Sequence, residues 1–251
     1  MAFFSRDHLQ SVHIRHSKSD YVTYAFTHCT THTLTLVAYQ GGIWLYDKSG
    51  NNPLVNPVLI AVLAIVGLLT ITDTDYQTYF DGAQFIHFLL GPATVALAIP
   101  LYRQLRRVRE SLLAIIVTVI AGSLTAAASS VGIAWLLGAS RQTLLTIAPK
   151  SATTPVAMGI AEQLGGLPTL TAVVVILTGI TGAMTASGLL RLARIRDARA
   201  TGLAIGIAAH GIGTARAFQI SDLVGAFSGL AMGLNALATA ILVPLLFRLL
   251  G

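Results

Sequence analysis

Lys150, Ser151, Thr153 and Thr154 stand in the stretch Pro149-Lys150-Ser151-Ala152-Thr153-Thr154-Pro155, where one cation and three hydroxyls crowd between two prolines. Joined to the free backbone N–H groups of a helix N-terminus, such a set makes an anion site by dipole, donors and charge. A second set, His210-Gly211-Ile212-Gly213-Thr214-Ala215-Arg216, supplies an imidazole, a hydroxyl and a guanidinium. The guanidinium can hold a carboxylate through two parallel hydrogen bonds, and the imidazole can shuttle a proton near neutral pH. Glu162 offers a carboxylate that could carry a coupling proton or cation. The plainer readings are a helix-capping Lys150 that snorkels to the headgroups, an interfacial Arg216, a Glu162 paired to Lys150 or water, and a His210 simply bonded between helices. Depth decides between them, because an ionisable side chain at mid-bilayer costs on the order of 2.5–3.5 kcal/mol even on the mild insertion scale. Ser228 with His210 invites a protease reading, but Gly225-Ala226-Phe227-Ser228-Gly229 is not the Gly-x-Ser-x-Gly elbow, and no enzyme is expected.

The elements that must position these groups are those of a membrane protein. Of the 251 residues 54% are hydrophobic and only 10% charged, with a mean hydropathy of +0.73, which argues against one or two soluble domains. Uncharged stretches run over 21–46, 49–72, 82–102, 111–140, 163–190 and 223–247. Each is long enough for the ~20 residues with which an apolar helix crosses a ~30 Å core. The net charge of +6 sits in short inter-helix clusters without aromatic interleaving, so it sets topology rather than binding nucleic acid. Cys29 is the only cysteine, which excludes an intrachain disulfide and a thiolate metal cluster; neither metal nor cofactor is expected. His8, His13, His16, His28 and His32 crowd the N-terminal region at irregular spacing. Composition predicts a polar, disordered tail over 1–24, without the h-region of a signal peptide, and a membrane domain over 25–251.

Spans are predicted over about 28–46, 54–72 and 83–102, the third kinked at Gly91-Pro92 and Pro100. Arg103, Arg106, Arg107 and Arg109 form one basic cluster, and Arg191, Arg194, Arg196 and Arg199 another. The positive-inside rule places both in the cytoplasm. After a long span at about 111–137, only one further full crossing, about 169–190, fits between the clusters. The piece from Ser151 to Ala161 must then enter and leave on one side, its helix rising ~16 Å, about half the core. After Arg199, ~24 Å of uncharged helix carries Arg216 to the far end of a second short, Gly-interrupted segment, which should line the same cavity as Lys150. The last span, about 223–247, shows Gly225, Gly229 and Gly233 as a packing stripe. Segments 95–99, 104–105 and 122–126 recur about sixty residues on, either by chance among apolar residues or as inverted halves whose broken helices meet at the midplane. The fold class is all-α, with about six to seven spanning segments plus a re-entrant or broken half-helix.

The motif from Pro149 to Met158, the Gly165-Gly166-Leu167-Pro168 turn and His210 to Ala217 together resemble the LrgB/CidB family of membrane proteins. Asn56-Pro57, Gly91-Pro92-Ala93 and Gly225-Ala226-Phe227-Ser228 fit the same pattern; Ala152 stands where the family's usual motif has valine. The resemblance implies two functions. Bacterial members are described as holin-like or antiholin-like proteins that influence murein hydrolase export and lysis with a small LrgA/CidA-type partner. Plastid and some bacterial relatives look like carriers of glycolate, glycerate or pyruvate. A holin needs no anion site, whereas the Lys150 and Arg216 stretches look built for one. The expectation is therefore a multi-pass carrier of small monocarboxylates in the cell membrane, with an LrgA/CidA-type chain and further copies of itself as partners.

Overall fold

The computed structural model describes residues 18–52, 54–96 and 98–249. Among them all regular structure is helical: α1 (Lys18–Lys48), α2 (Pro57–Ile71), α3 (Tyr76–Ala96), α4 (Ala98–Arg103), α5 (Leu105–Glu110), α6 (Leu112–Leu136), α7 (Arg141–Ile147), α8 (Thr154–Leu164), α9 (Pro168–Leu192), α10 (Ala198–Ile220) and α11 (Asp222–Leu249). The boundaries follow local chemistry. Asn56 caps α2 by accepting from the N–H groups of Val58 and Leu59, with Pro57 in the first turn, where its missing N–H costs nothing. Gly165, at φ 85°, closes α8 in the left-handed conformation, and Pro168 opens α9.

The expected boundaries shift at two places. Helix α1 begins at Lys18, so residues 18–24, read as tail, are helical; His8, His13 and His16 lie outside the described residues. Helix α3 begins at Tyr76, inside the acidic loop, where Asp75 accepts from the Gln77 N–H. Pro92 lies within this helix. Three described helices are long and apolar enough to cross a membrane, α6, α9 and α11. The expected count of six to seven is higher because uncharged length alone admits α1, whose Thr, His and Tyr residues dilute its hydropathy, and α2, which has only 15 residues.

Contacts fix how the long helices run. Ile115 and Val119 of α6 pack with Phe227 and Ala231 of α11, Ser123 bonds Asn235, and Ala127 packs with Val243, so α6 and α11 are parallel. Helix α9 runs the other way. Its start lies against Thr146, through Thr171 Oγ1 donating to the Thr146 carbonyl, while Ala186 and Leu190 near its end pack with Ala198 and Val224. The outward faces of these helices are apolar, with Leu113, Val117, Val173, Leu177, Leu237 and Ile241 exposed, as lipid requires and water penalises.

Two helical hairpins fill the space between them. In the first, α7 goes in, the chain turns at 148–153 and α8 returns: the Leu167 N–H donates to Thr146 Oγ1, and Gly166 lies against the Leu145–Thr146 backbone. The second is α10 itself. Its first half packs Gly202 against Val224 and Phe227 and Gly206 against Ser228 and Ala231; at His210 the backbone breaks, at φ 39° and ψ −132°. The second half then comes back down the same neighbours, with Thr214 on Ser228, Ala217 on Val224 and Phe218 on Gly225. Gly213 meets Ile205 and Ala209, which closes the two halves on each other. Gly202 and Gly206 of α10 allow close approach, as does Gly225 of α11 against the Phe218 ring, whereas Gly233 of the expected α11 stripe faces open space. Each hairpin follows a long helix and enters from the end where that helix stopped. Because α6 and α9 are antiparallel, the hairpins enter from opposite ends.

Both basic clusters lie at one end of the bundle, where Arg199 Nη1 donates to Ser111 Oγ at 3.1 Å. There Asp197 caps α10, and the Ala200 N–H and the Arg199 guanidinium hold its carboxyl below the usual carboxylate range. Single cysteines replacing Arg107 and Arg194 in a Cys29→Ser background are expected to react with an impermeant thiol reagent from the same side of the membrane. Labelling from opposite sides of intact cells and inverted vesicles would contradict this packing.

Candidate functional site

The tips of the two hairpins meet near the middle of the long helices. Helix α11 contributes the residue that joins them. Asn235, fully buried, donates from Nδ2 to the Ser151 carbonyl at 2.8 Å and to the Ile207 carbonyl at 3.3 Å, and accepts at Oδ1 from Ser123 Oγ at 2.6 Å. One side chain therefore ties both tips to α6 and α11, and satisfies polar groups that an apolar surrounding would otherwise leave costly.

His210 occupies the second tip. Its ring is buried and Nε2 lies 2.9 Å from the Val175 carbonyl of α9, while its own carbonyl accepts from Thr214 Oγ1 at 2.8 Å. Thr214 in turn bonds Ser228 Oγ at 2.9 Å. A histidine at φ 39° is strained, a conformation that costs of order 1–3 kcal/mol for a residue with a Cβ. These bonds and the ring's packing hold it there. Val175 also packs against Ala152 and Ala157, which brings the first tip to the same level. Lys150, half-buried in that tip, lies within electrostatic reach of the His210 ring. Among the described residues no carboxylate pairs with it. Thr153 begins α8 in extended conformation without a side-chain cap bond, so the first N–H groups of α8 are not capped by its hydroxyl.

Of the residues singled out in the sequence, Lys150, Ser151 and Thr153 share the first tip, Thr154 starts the helix that leaves it, and His210 and Thr214 stand at the second tip. Two stand apart. Arg216 is not at the far end of a straight segment, because the reversal at His210 carries it back down the hairpin. It donates to the Tyr46 hydroxyl of α1 and to Gln219 Oε1 at 2.8 Å, with its guanidinium over the Tyr46 ring. Glu162 is exposed in the last turn of α8, at the outer end of the first hairpin. The residues that sequence reasoning missed are Asn235, Ser123 and the Val175 carbonyl. An amide alone in the apolar middle of α11 was the available signal, since polar side chains inside a span rarely lack a role.

The fit of His210 depends on Gly179, where a Cβ would stand 2.5 Å from His210 Cε1 and 2.9 Å from Nε2. Gly179→Ala is expected to push the ring off the Val175 carbonyl while α9 stays helical, read as lower thermal stability in detergent with unchanged helical circular dichroism. A groove of about 740 Å³ lies away from the tips, between α6, α7 and α11, and its lining of Val131, Trp135, Leu144, Val243 and Phe247 holds none of the polar site groups.

Long apolar helices enclosing two oppositely entering hairpins, with a cluster of buried polar groups where the tips meet, define a helical membrane protein. The LrgB-like family model matches residues 35–249, and the chain belongs to that family. It is 35% identical over 216 residues to the holin-like protein CidB of Staphylococcus epidermidis, covering 86% of this chain and 94% of that one. Against CidB of Staphylococcus aureus the identity is 34% with the same coverage, and against the uncharacterized protein YxaC of Bacillus subtilis it is 37% over 84% and 92%. No solved structure gives a significant match.

Proposed function

We propose that this chain is a multi-pass protein of the cell membrane that carries small monocarboxylates of the glycolate, glycerate and pyruvate class, bound where the two hairpin tips meet. The observation that carries this reading is Lys150, a half-buried cation with no acidic partner among the described residues, set between two helix breaks. A cation held in such a place favours an anion of one charge and small size. The hydroxyls of Thr153 and Thr154 and the start of α8 add donors toward it. In this arrangement the two arginine clusters face the cytoplasm, the first hairpin enters from outside, and α1–α4 supply the remaining crossings. An LrgA/CidA-type chain and further copies of this one are the partners that family membership suggests.

A second reading has its own support, because relatives covering most of the chain bear the name holin-like protein CidB. On that reading the protein promotes or restrains membrane lesions and acts on murein hydrolase export and lysis. The two separate in proteoliposomes. Saturable uptake of labelled glycolate, competed by glycerate and pyruvate, with entrapped large dyes retained, is the result expected of a carrier. Non-saturable release of large dyes, without competition among carboxylates, would give the holin-like reading its place.

A further inference from the structure

We infer that His210 carries one proton for each carboxylate that crosses, with Lys150 making the two binding events depend on each other. The inference rests on the carrier reading and assigns its coupling group. The Val175 carbonyl can only accept, so His210 Nε2, at 2.9 Å from it, bears hydrogen whether the ring is neutral or cationic. The atom that gains and loses the proton is then Nδ1. The strained backbone at φ 39° and the Thr214 bond to the His210 carbonyl fix the ring at the tip. The imidazole therefore stays at the meeting point of the hairpins.

Few charges face it. The helices chiefly packed against α10 are α6, α9 and α11, and α1 reaches it at Arg216; α6 contains no charged side chain, α9 only Arg191, α11 only Asp222 and Arg248, and α1 only Lys18, Asp20, Asp47 and Lys48, all near helix ends. On α10 itself Arg199 lies in the first turn and Arg216 is bonded to Tyr46 of α1, away from the tip. Glu162 sits at the outer end of α8. That leaves Lys150 of the first tip. Two cations side by side in a poorly solvated place repel, so Lys150 opposes a proton on His210 while the site is empty. A carboxylate settling beside both removes that opposition, and by linkage the proton strengthens carboxylate binding by the same factor. In the cycle, Nδ1 takes a proton from water on the entry side, the anion and proton cross together, and Nδ1 returns the proton to water on the exit side. The net movement is one H⁺ and one monocarboxylate anion, without net charge.

The test uses the full chain in proteoliposomes with labelled glycolate and an entrapped pH dye. Wild type is expected to show glycolate counterflow at equal pH, accumulation under an inward proton gradient, and lumenal acidification that matches glycolate entry. His210→Gln keeps an N–H for Val175 but cannot take a proton. Assayed at saturating glycolate, to offset the weaker binding of a side chain that cannot be protonated, it is expected to show counterflow and to lose gradient-driven accumulation. Accumulation by the variant equal to wild type overturns the inference, and so does loss of counterflow in a variant that inserts normally, since His210 would then be a ligand or scaffold. Absence of counterflow in wild type is a different failure, that of the carrier reading. A measurement without any variant stands beside these: equilibrium glycolate binding to the purified wild type, with glycolate ionised throughout, is expected to weaken about tenfold as the pH is raised from about 5 to about 8. Binding that ignores pH in that range overturns the inference.

Discussion

Asn235→Leu is expected to destabilise the protein by about 2–6 kcal/mol, because it strands two buried carbonyls, each costing about 1–3 kcal/mol when left unpaired. Those carbonyls belong to Ser151 and Ile207, one in each hairpin, and the Ser123 hydroxyl loses its acceptor as well. Leucine fills a similar volume, so the loss reports the hydrogen bonds rather than a cavity. The expected readout is a lower thermal unfolding midpoint in detergent and loss of carboxylate uptake, since the tips are no longer tied to one side chain. Thr239, one helical turn further along α11, supplies the opposite case. Its hydroxyl is buried without a partner among the described residues, so Thr239→Val removes an unmet polar group and is expected to leave stability unchanged or raised. If both substitutions cost the same, general packing of α11 and not the Asn235 bridge holds the hairpins.

Lys150→Gln is the second large effect. A carboxylate beside Lys150 gains a charge-assisted hydrogen bond worth about 1.5–3 kcal/mol, so losing the charge is expected to weaken glycolate binding by roughly ten- to a hundredfold with insertion intact. Arg216→Lys makes the informative contrast. From the chemistry of the sequence alone it should cost as much, since lysine lacks the planar fork. In the folded chain Nη1 of that guanidinium is on Tyr46 and Gln219. Arg216→Lys is therefore expected to spare binding and to loosen α1 from α10, seen as faster proteolysis of α1. Equal loss of binding in both variants would return Arg216 to the anion site.

What residue chemistry alone determined here is short-ranged. Asn56-Pro57 starts a helix and Gly165 ends one because each acts on dihedrals and N–H groups within a few residues. The two arginine clusters, through their charge alone, led to a single crossing between α6 and the second cluster, to antiparallel α6 and α9, and to a segment at Lys150 that turns back, and the packing agrees. The place of the second reversal was not legible. Gly211 and Gly213 are the residues that tolerate positive φ cheaply, yet the break falls on His210. It is held there by the Val175 carbonyl, 35 residues away, and by Thr214, itself bonded to Ser228 of the next helix. Arg216 and Asn235 repeat the lesson. Their partners Tyr46 and Ser151 lie 170 and 84 residues distant, and an arginine or an asparagine presents the same donors wherever it stands. Which acceptor each one meets is decided by how whole helices pack, because only packing brings groups so far apart in the chain to within hydrogen-bond distance.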